Sequence, residues 1–168
     1  MTKADGVTAV YPGSFDPVHN GHIDIIVRAR RVFGRVVVAV ANNLGKQPMF
    51  STDDRVEMLR AAMAGQEGIE VRAFEGLTVE FAASIHAGVI VRGLRANEDF
   101  EFELKMAAMN KRLHPEIETV FMMTSPEYAY LSSTLIREVT SFGGSVAGLI
   151  PAAAGERLAR APKPRRPA

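Results

Sequence analysis

Residues 7–41 read VTAVYPGSFDPVHNGHIDIIVRARRVFGRVVVAVA, and this stretch decides the fold. Its first residues form an apolar run that ends at Pro12-Gly13, which predicts a buried strand. Residues 21–33 carry apolar side chains at helical spacing. Residues 36–41 are apolar on both faces, as in the middle strand of a parallel sheet. The stretch therefore predicts two parallel strands joined by a helix.

The rest of the chain repeats this alternation of short apolar runs and longer segments with helical spacing. We expect strands at residues 7–11, 36–41, 69–74, 89–91 and 119–123. We expect helices at residues 21–33, 52–64, 78–86, 97–113 and 132–141, with residues 158–160 closing a final short helix. This order indicates a Rossmann-like α/β fold, an open parallel sheet of about five strands with helices on both faces. Because ligands of such sheets bind beyond the carboxyl ends of the strands, the chemistry should lie in the segments that follow strands.

The composition limits the classes of function. A chain of 168 residues suits one domain, which we place at residues 1–160, while the Pro- and Arg-rich residues 161–168 suggest a disordered basic tail. The net charge of +1 gives no case for a nucleic-acid partner, and the absence of cysteine excludes disulfides and thiolate sites. No apolar run reaches the ~20 residues of a membrane helix, and the N-terminus lacks a signal-peptide pattern. We therefore expect a cytoplasmic protein with no membrane partner.

The loop after the first predicted strand holds the most informative polar residues. Pro12-Gly13-Ser14 turns the chain, and a glycine lets a ligand approach the backbone. Gly21 stands at the start of the predicted helix, where unpaired N–H groups favour a phosphate. His19 and His22 could instead bind a metal, but no further histidine or acidic ligand lies nearby at helical spacing. Taken alone, the loop fits either phosphate binding or a strand-to-helix turn capped by polar residues.

Two motifs more than a hundred residues apart resemble those of the nucleotidyltransferase superfamily. Residues 19–22, HNGH, match its HxGH motif, and residues 131–137, LSSTLIR, are similar to its ISSTxxR motif with leucine for the first isoleucine. The segments YPGSFDPVHNGHIDI and RGLRANEDFEFELKMAAMN, together with the length, resemble the bacterial phosphopantetheine adenylyltransferases. This resemblance covers residues 7–151. It implies transfer of an adenylyl group from ATP to 4′-phosphopantetheine, giving dephospho-coenzyme A and pyrophosphate.

The resemblance also implies roles for individual residues. His22 would donate to the α-phosphate of ATP as it becomes five-coordinate. The catalytic residues would be His22, Ser14, Lys46 and Arg95. Phosphopantetheine would be bound by Ser14, Lys46, Thr78 and Arg92. ATP would be bound by Ser14, Phe15, His22, Gly93, Leu94, Arg95, Glu103, Tyr128, Ala129, Tyr130, Leu131, Ser132, Ser133 and Thr134.

The same resemblance implies Mg²⁺ as the cofactor that accompanies ATP. Because Mg²⁺ usually bridges phosphates and keeps several waters, we expect no metal ligand among the protein side chains. The resemblance further implies a homohexamer. Feedback by coenzyme A is expected because product and inhibitor would share the pantetheine pocket.

Other interpretations remain open at this point. The same chemistry could use another acceptor, such as nicotinamide mononucleotide or a cytidylyl acceptor, since those relatives share both motifs. A non-catalytic nucleotide-binding protein is disfavoured because both motifs and the basic residues are present. A Rossmann dehydrogenase is disfavoured because no G-x-G-x-x-G follows the first strand.

Several candidate residues also have ordinary structural explanations. Lys46 could be a solvated lysine, Arg95 could pair with Glu98 or Asp99, and the hydroxyls of residues 132–134 could only cap a helix. The methionines are expected to fill the core or an interface. They are Met106, Met109, Met122 and Met123.

Overall fold

The computed structural model describes residues 6–42, 47–95 and 97–161. Its strands are β1 (Thr8–Gly13), β2 (Arg35–Ala41), β3 (Ile69–Phe74), β4 (Val89–Leu94) and β5 (Glu118–Met123). Its helices are α1 (Asn20–Phe33), α2 (Thr52–Ala62), α3 (Thr78–Ser84), α4 (Asn97–Leu113), α5 (Ser133–Ser141) and α6 (Ala152–Arg160), with a 3-10 turn at Pro126–Tyr128. All recorded strand pairs are parallel, in the order β3-β2-β1-β4-β5. The predicted open parallel sheet is confirmed.

The core lies on both faces of this sheet. Val36, Val38 and Val40 of β2 face α1, α2 and α6, while Val37 and Ala39 of the same strand face α3. All five of these side chains are at most 1% exposed. Strand β2 is therefore buried on both faces by helices, as its continuous apolar sequence predicts.

Strands β1 and β4 run further toward their carboxyl ends than the sequence predicts. The expected turn at Pro12 and Gly13 is wrong, because both residues continue β1 and pair with β2. Proline lacks an N–H, but the recorded pairing of β1 with β4 stops at Val10, so Pro12 behaves as an edge residue on that side. Its carbonyl oxygen instead accepts a hydrogen bond from Arg92 of β4 at 3.3 Å. The two strands thus separate at their carboxyl ends.

Helix ends differ from the predictions in smaller ways. The C-terminal end of α3 comes at Ser84, because His86 has a positive φ of 55° that no helix can hold. Helix α6 covers nine residues and ends at Arg160, as predicted, but the sequence gives no clear sign of where it begins. Its first four residues are alanine and glycine, which are too small and too similar in polarity to show the helical spacing of apolar residues. The expected tail at residues 162–168 lies outside the described residues, and the single-domain boundary stays a prediction.

The surface of α4 is unusually apolar. Phe102 is 63% exposed, and Leu104 and Met109 are each 51% exposed. Met106 and Met123 are exposed as well, so of the four methionines only Met122 packs against the core. Within the described residues, no helix combines the length and apolar character needed to cross a membrane.

Candidate active site

A cavity of about 410 Å³ opens at the carboxyl end of the sheet, where β1 and β4 separate. Its position is that expected for a ligand site in an open parallel sheet. The predicted site residues that line it are Ser14, Phe15, His22, Arg92, Gly93, Arg95, Glu103, Ser132, Ser133 and Thr134. The loops after β1, β4 and β5 therefore bring both sequence motifs to one cavity.

The first motif forms a packed cluster of rings at the start of α1. His19 stacks on His22 with ring centroids 3.6 Å apart, and Phe15 meets His22 edge-on at 4.9 Å. Gly21 leaves room for this stack, since a Cβ at this position would lie 3.1 Å from the His19 ring and would push that ring by a few tenths of an ångström. Phe15 is 1% exposed and has a positive φ of 50°, a strained conformation of the kind found at functional sites. The cluster therefore fixes the orientation of the His22 ring.

The hydrogen bonding of His22 determines its tautomer. Its Nδ1 accepts the backbone N–H of His19 at 3.2 Å, and a backbone N–H can only donate. Neutral His22 must therefore carry its proton on Nε2. Burial lowers the pKa of His22 well below 6.5, and His19 and Arg95 lower it further. At neutral pH, His22 is an uncharged Nε2–H donor at the cavity.

His19 is also uncharged at neutral pH. It is 3% exposed, and burial together with Arg95 lowers its pKa to about 4. Its Nδ1 is a buried atom for which the described residues provide no hydrogen-bond partner. His19 thus serves as the N-cap residue and ring support of His22 rather than as a charged group.

The cavity also has a cationic part. Arg92 forms a bidentate pair with Glu103, whose Oε2 accepts from the arginine Nε at 2.7 Å. Glu103 is 8% exposed, so this carboxylate holds the Arg92 guanidinium in one orientation. Arg95 donates to the carbonyl of Leu131 at 3.0 Å. The suggested pairing of Arg95 with Glu98 or Asp99 involves side chains outside the described part of the structure.

The second motif forms hydrogen bonds to the loop that precedes the first motif. Ser132 is the N-cap of α5, and its hydroxyl accepts the N–H of Leu135 at 3.0 Å. Ser133 donates to the carbonyl of Pro17 at 2.8 Å. Arg137 donates to the carbonyl of Asp16. The structural explanation for Ser132 as a cap is therefore correct, and it leaves the N-terminal end of α5 directed at the cavity.

Other predicted site residues do not line the cavity. Thr78 and Leu94 lie at the start of α3 and the end of β4, and Leu94 is buried. Residues 128–131 lie beside the cavity, with Leu131 fully buried and Tyr130 exposed. Lys46 lies outside the described residues.

Sequence reasoning missed three charged residues that line the same cavity. They are Asp16, Arg55 and Arg137. Arg137 is the last residue of the LSSTLIR motif, and Asp16 stands three residues before the HNGH motif, so both had a signal in the sequence. Arg55 had a weaker signal, because it stands beside Val56 on the buried side of α2, where a charged residue is unusual.

Comparison with known proteins gives a consistent result. Residues 10–139 match the model of the cytidylyltransferase-like family. A relative from Heliobacterium modesticaldum, named phosphopantetheine adenylyltransferase, is 53% identical over 151 residues, covering 90% of each chain. Relatives of the same name from Caldanaerobacter subterraneus subsp. tengcongensis and Desulfosudis oleivorans are 48% and 47% identical. These two alignments cover 89% of this chain and 94% and 89% of the respective relatives.

Proposed function

The chain belongs to the cytidylyltransferase-like family, and we propose that it transfers the adenylyl group of ATP to 4′-phosphopantetheine, forming dephospho-coenzyme A and pyrophosphate. The names of its relatives support this acceptor. The strongest support from the site is that residues of the HNGH and LSSTLIR motifs line one cavity, while Ser133 donates to the carbonyl of Pro17 in the loop that leads into HNGH. The reaction is reversible and belongs to coenzyme A biosynthesis.

The acceptor phosphate is itself the nucleophile. A phosphate monoester has a second pKa of about 6, so it is mostly a dianion at neutral pH and needs no general base. One of its oxygens forms a bond to the α-phosphorus of ATP. The bond from that phosphorus to the oxygen of the β-phosphate breaks, and pyrophosphate leaves. The protein must therefore supply alignment and stabilisation of the charge on the α-phosphate.

His22 supplies the main stabilising donor in this proposal. Its Nε2–H donates to an α-phosphate oxygen as negative charge builds up there. Its pKa, lowered by burial, keeps the ring neutral and leaves this proton in place across the physiological range. Since Nδ1 is already occupied by the His19 N–H, Nε2 is the only ring nitrogen that can act on the substrate.

The remaining site residues hold the two substrates. Ser14 orients the acceptor phosphate, while Lys46 and Arg92 bind its charge and Thr78 contacts the pantetheine arm. Phe15, His22 and Arg95 act on ATP. The other ATP-binding residues are Gly93, Leu94, Glu103 and residues 128–134, which end at the N-terminal end of α5, a favourable place for a phosphate.

Mg²⁺ enters with ATP as part of the substrate. The described residues contain no group of three or more His, Asp or Glu side chains that could hold a metal ion. The Mg²⁺ that accompanies ATP would neutralise charge on the triphosphate and on the leaving pyrophosphate.

A pyrophosphate-release assay tests the proposed reaction. We expect pyrophosphate only when ATP, Mg²⁺ and 4′-phosphopantetheine are all present. Pantetheine without its phosphate is the matched control, because it lacks the nucleophile. Release with nicotinamide mononucleotide but not with 4′-phosphopantetheine would assign another acceptor. ATP binding without any release would indicate a non-catalytic protein.

We further propose that the enzyme is a cytoplasmic homohexamer regulated by coenzyme A. The exposed apolar residues of α4, which include Phe102 and Leu104, support an interface between copies of the chain. Light scattering should give the mass of six chains of 18.3 kDa, and a mass of one chain would contradict the proposal. Coenzyme A should inhibit in competition with 4′-phosphopantetheine, because both contain the pantetheine arm.

A further inference from the structure

Arg55 of α2 connects three separate segments at the cavity. It is 2% exposed and belongs to neither motif. Its Nη1 donates to the carbonyls of Ser14 at 2.7 Å and Ala41 at 2.9 Å. Its Nε donates to the carbonyl of Phe50 at 3.2 Å, and its Nη2 to the hydroxyl of Thr52 at 3.0 Å. One guanidinium therefore joins the loop after β1, the end of β2 and the turn that precedes α2.

Asp16 completes this arrangement from the other side. Its carboxylate accepts the N–H groups of Met49 at 2.8 Å and Phe50 at 2.9 Å. Both backbone groups of Phe50 are therefore held in place. Its N–H donates to Asp16, and its carbonyl accepts from Arg55. Burial lowers the pKa of Arg55, and the nearby Asp16 carboxylate opposes this shift. Because an arginine stays protonated in proteins, the buried charge is retained and compensated by these acceptors.

The two ends of the connection between β2 and α2 are among the groups that Arg55 holds. Ala41 ends β2, and Phe50 precedes α2, so residues 42–49 run between two carbonyls bound to the same guanidinium. Lys46 lies within this connection in the sequence. The third carbonyl is that of Ser14, the other residue that we assign to the acceptor phosphate. None of the four hydrogen bonds reaches the second motif.

We propose that Arg55 is a positioning residue for the acceptor-phosphate side of the cavity. It acts through the Ser14 peptide and through the ends of the connection that carries Lys46. The identity of the acceptor in this proposal rests on the proposed function. Small displacements of such aligning groups can cost about 10² in rate, even when the substituted residue does not touch the reacting atoms.

Arg55→Lys is the variant that tests this role. Lysine keeps the positive charge but cannot donate in a fork to carbonyls from three segments. We expect kcat/KM for 4′-phosphopantetheine to fall about 10²-fold, while the dissociation constant of ATP rises less than about tenfold, because only the Ser14 peptide also serves ATP. Arg60→Lys is the matched control, because Arg60 lies on the same helix, is exposed and donates to a single carbonyl, that of Val71 at 3.3 Å. It should leave both constants within about twofold.

A double-mutant cycle separates positioning from general support of the fold. Because Arg55 acts partly through the connection that carries Lys46, the effect of Arg55→Lys on the acceptor KM should be smaller once Lys46→Ala is present. Thermal unfolding of each variant gives the folded fraction. Additive effects of the two substitutions, an equal loss of ATP affinity, or a rate loss that matches the folded fraction would overturn the proposal.

Hydrogen exchange provides a test that requires no acceptor. Without substrates, Arg55→Lys should speed exchange in residues 13–16 and 47–52, and Arg60→Lys should not. Should the unaltered enzyme release no pyrophosphate from 4′-phosphopantetheine, the proposed function fails while exchange still tests Arg55. Should the unaltered enzyme be active and Arg55→Lys change neither exchange nor kcat/KM, the role of Arg55 alone fails.

Discussion

The cavity has a neutral wall, formed by Phe15, His19, Gly21 and His22, and a charged wall, formed by Arg92, Arg95, Glu103 and Arg137. In the neutral wall, rings pack on one another and burial lowers the pKa of both histidines. In the charged wall, the guanidinium groups are partly exposed, with side-chain exposures of 32% for Arg92 and 35% for Arg137.

This difference indicates that one wall acts mainly on the transition state and the other mainly on substrate binding. A neutral N–H donor gains most when negative charge develops on the atom it faces, so it contributes mainly to the transition state. Cations attract phosphates that are already charged in the ground state, so they contribute mainly to binding. We therefore expect substitutions in the neutral wall to lower kcat and substitutions in the charged wall to raise KM.

The largest effect is expected in the neutral wall. His22→Ala should lower kcat by about 10² or more, because it removes one preorganised donor to the transition state. ATP should still bind with a dissociation constant within about threefold. Steady-state pyrophosphate release and direct titration with ATP measure the two quantities.

Two further variants sharpen this prediction. His22→Gln carries an N–H donor near the position of Nε2 and should recover part of the lost rate. His114→Ala removes a histidine that lies outside the cavity and should leave kcat unchanged. If His22→Ala instead weakened ATP binding and kept kcat, His22 would have the function that we assign to the charged wall.

A smaller effect is expected in the charged wall. Arg92→Gln should raise the KM for 4′-phosphopantetheine about twentyfold, because hydrogen bonds to charged groups contribute about 1.5–3 kcal/mol. The change in kcat should be much smaller. Initial rates over a range of acceptor concentrations provide the measurement.

The double variant Arg92→Gln with Glu103→Gln separates two effects of Arg92→Gln. One is the loss of the cation, and the other is the Glu103 carboxylate that is left without its partner. Glu103 is mostly buried, so an unpaired charge there would itself disturb the site. We expect the double variant to keep the raised KM and to recover thermal stability. A double variant with a normal KM would show that the stray carboxylate, and not the missing cation, caused the defect.

The sequence was sufficient for the sheet because its signal is local. Residues 36–41 are apolar at every position, and only a strand between two helical layers needs that pattern. The predicted ends of β1 and β4 are wrong at Pro12 and Arg92. These two strand residues lie at the cavity, so they are not the apolar, β-branched residues that predict a buried strand.

The site was predictable where its residues stand in contiguous motifs. His22 and Ser133 could be named because their neighbours in the sequence form a pattern. Arg55 could not, since its role depends on carbonyls of Ser14 and Ala41, which are 41 and 14 residues away. Backbone carbonyls occur in every residue, so the sequence carries no sign of which ones a side chain will reach.

The neutral wall also predicts how stability depends on pH. Folded His19 stays neutral down to a pKa of about 4, whereas in the unfolded chain it takes up a proton near pH 6.5. Between these values the unfolded state binds more protons, so stability falls as the pH falls. One such histidine lowers the free energy of unfolding by about 1.4 kcal/mol per pH unit, and His22 acts in the same direction. Urea unfolding between pH 7 and pH 5 measures this slope.

His114 provides the contrast that tests the origin of the slope. Hydrogen bonding to Glu116 and Glu80 raises its pKa. Its stabilising contribution to the free energy of unfolding is therefore complete below pH 6.5 and is lost as the pH rises above that value. His114→Ala should therefore leave the slope between pH 6.5 and pH 5 unchanged, whereas His19→Asn should flatten it. If His19→Asn left the slope unchanged, the His19 ring would already be protonated in the folded protein over this range. The wall would then carry a positive charge next to His22 and would not be neutral.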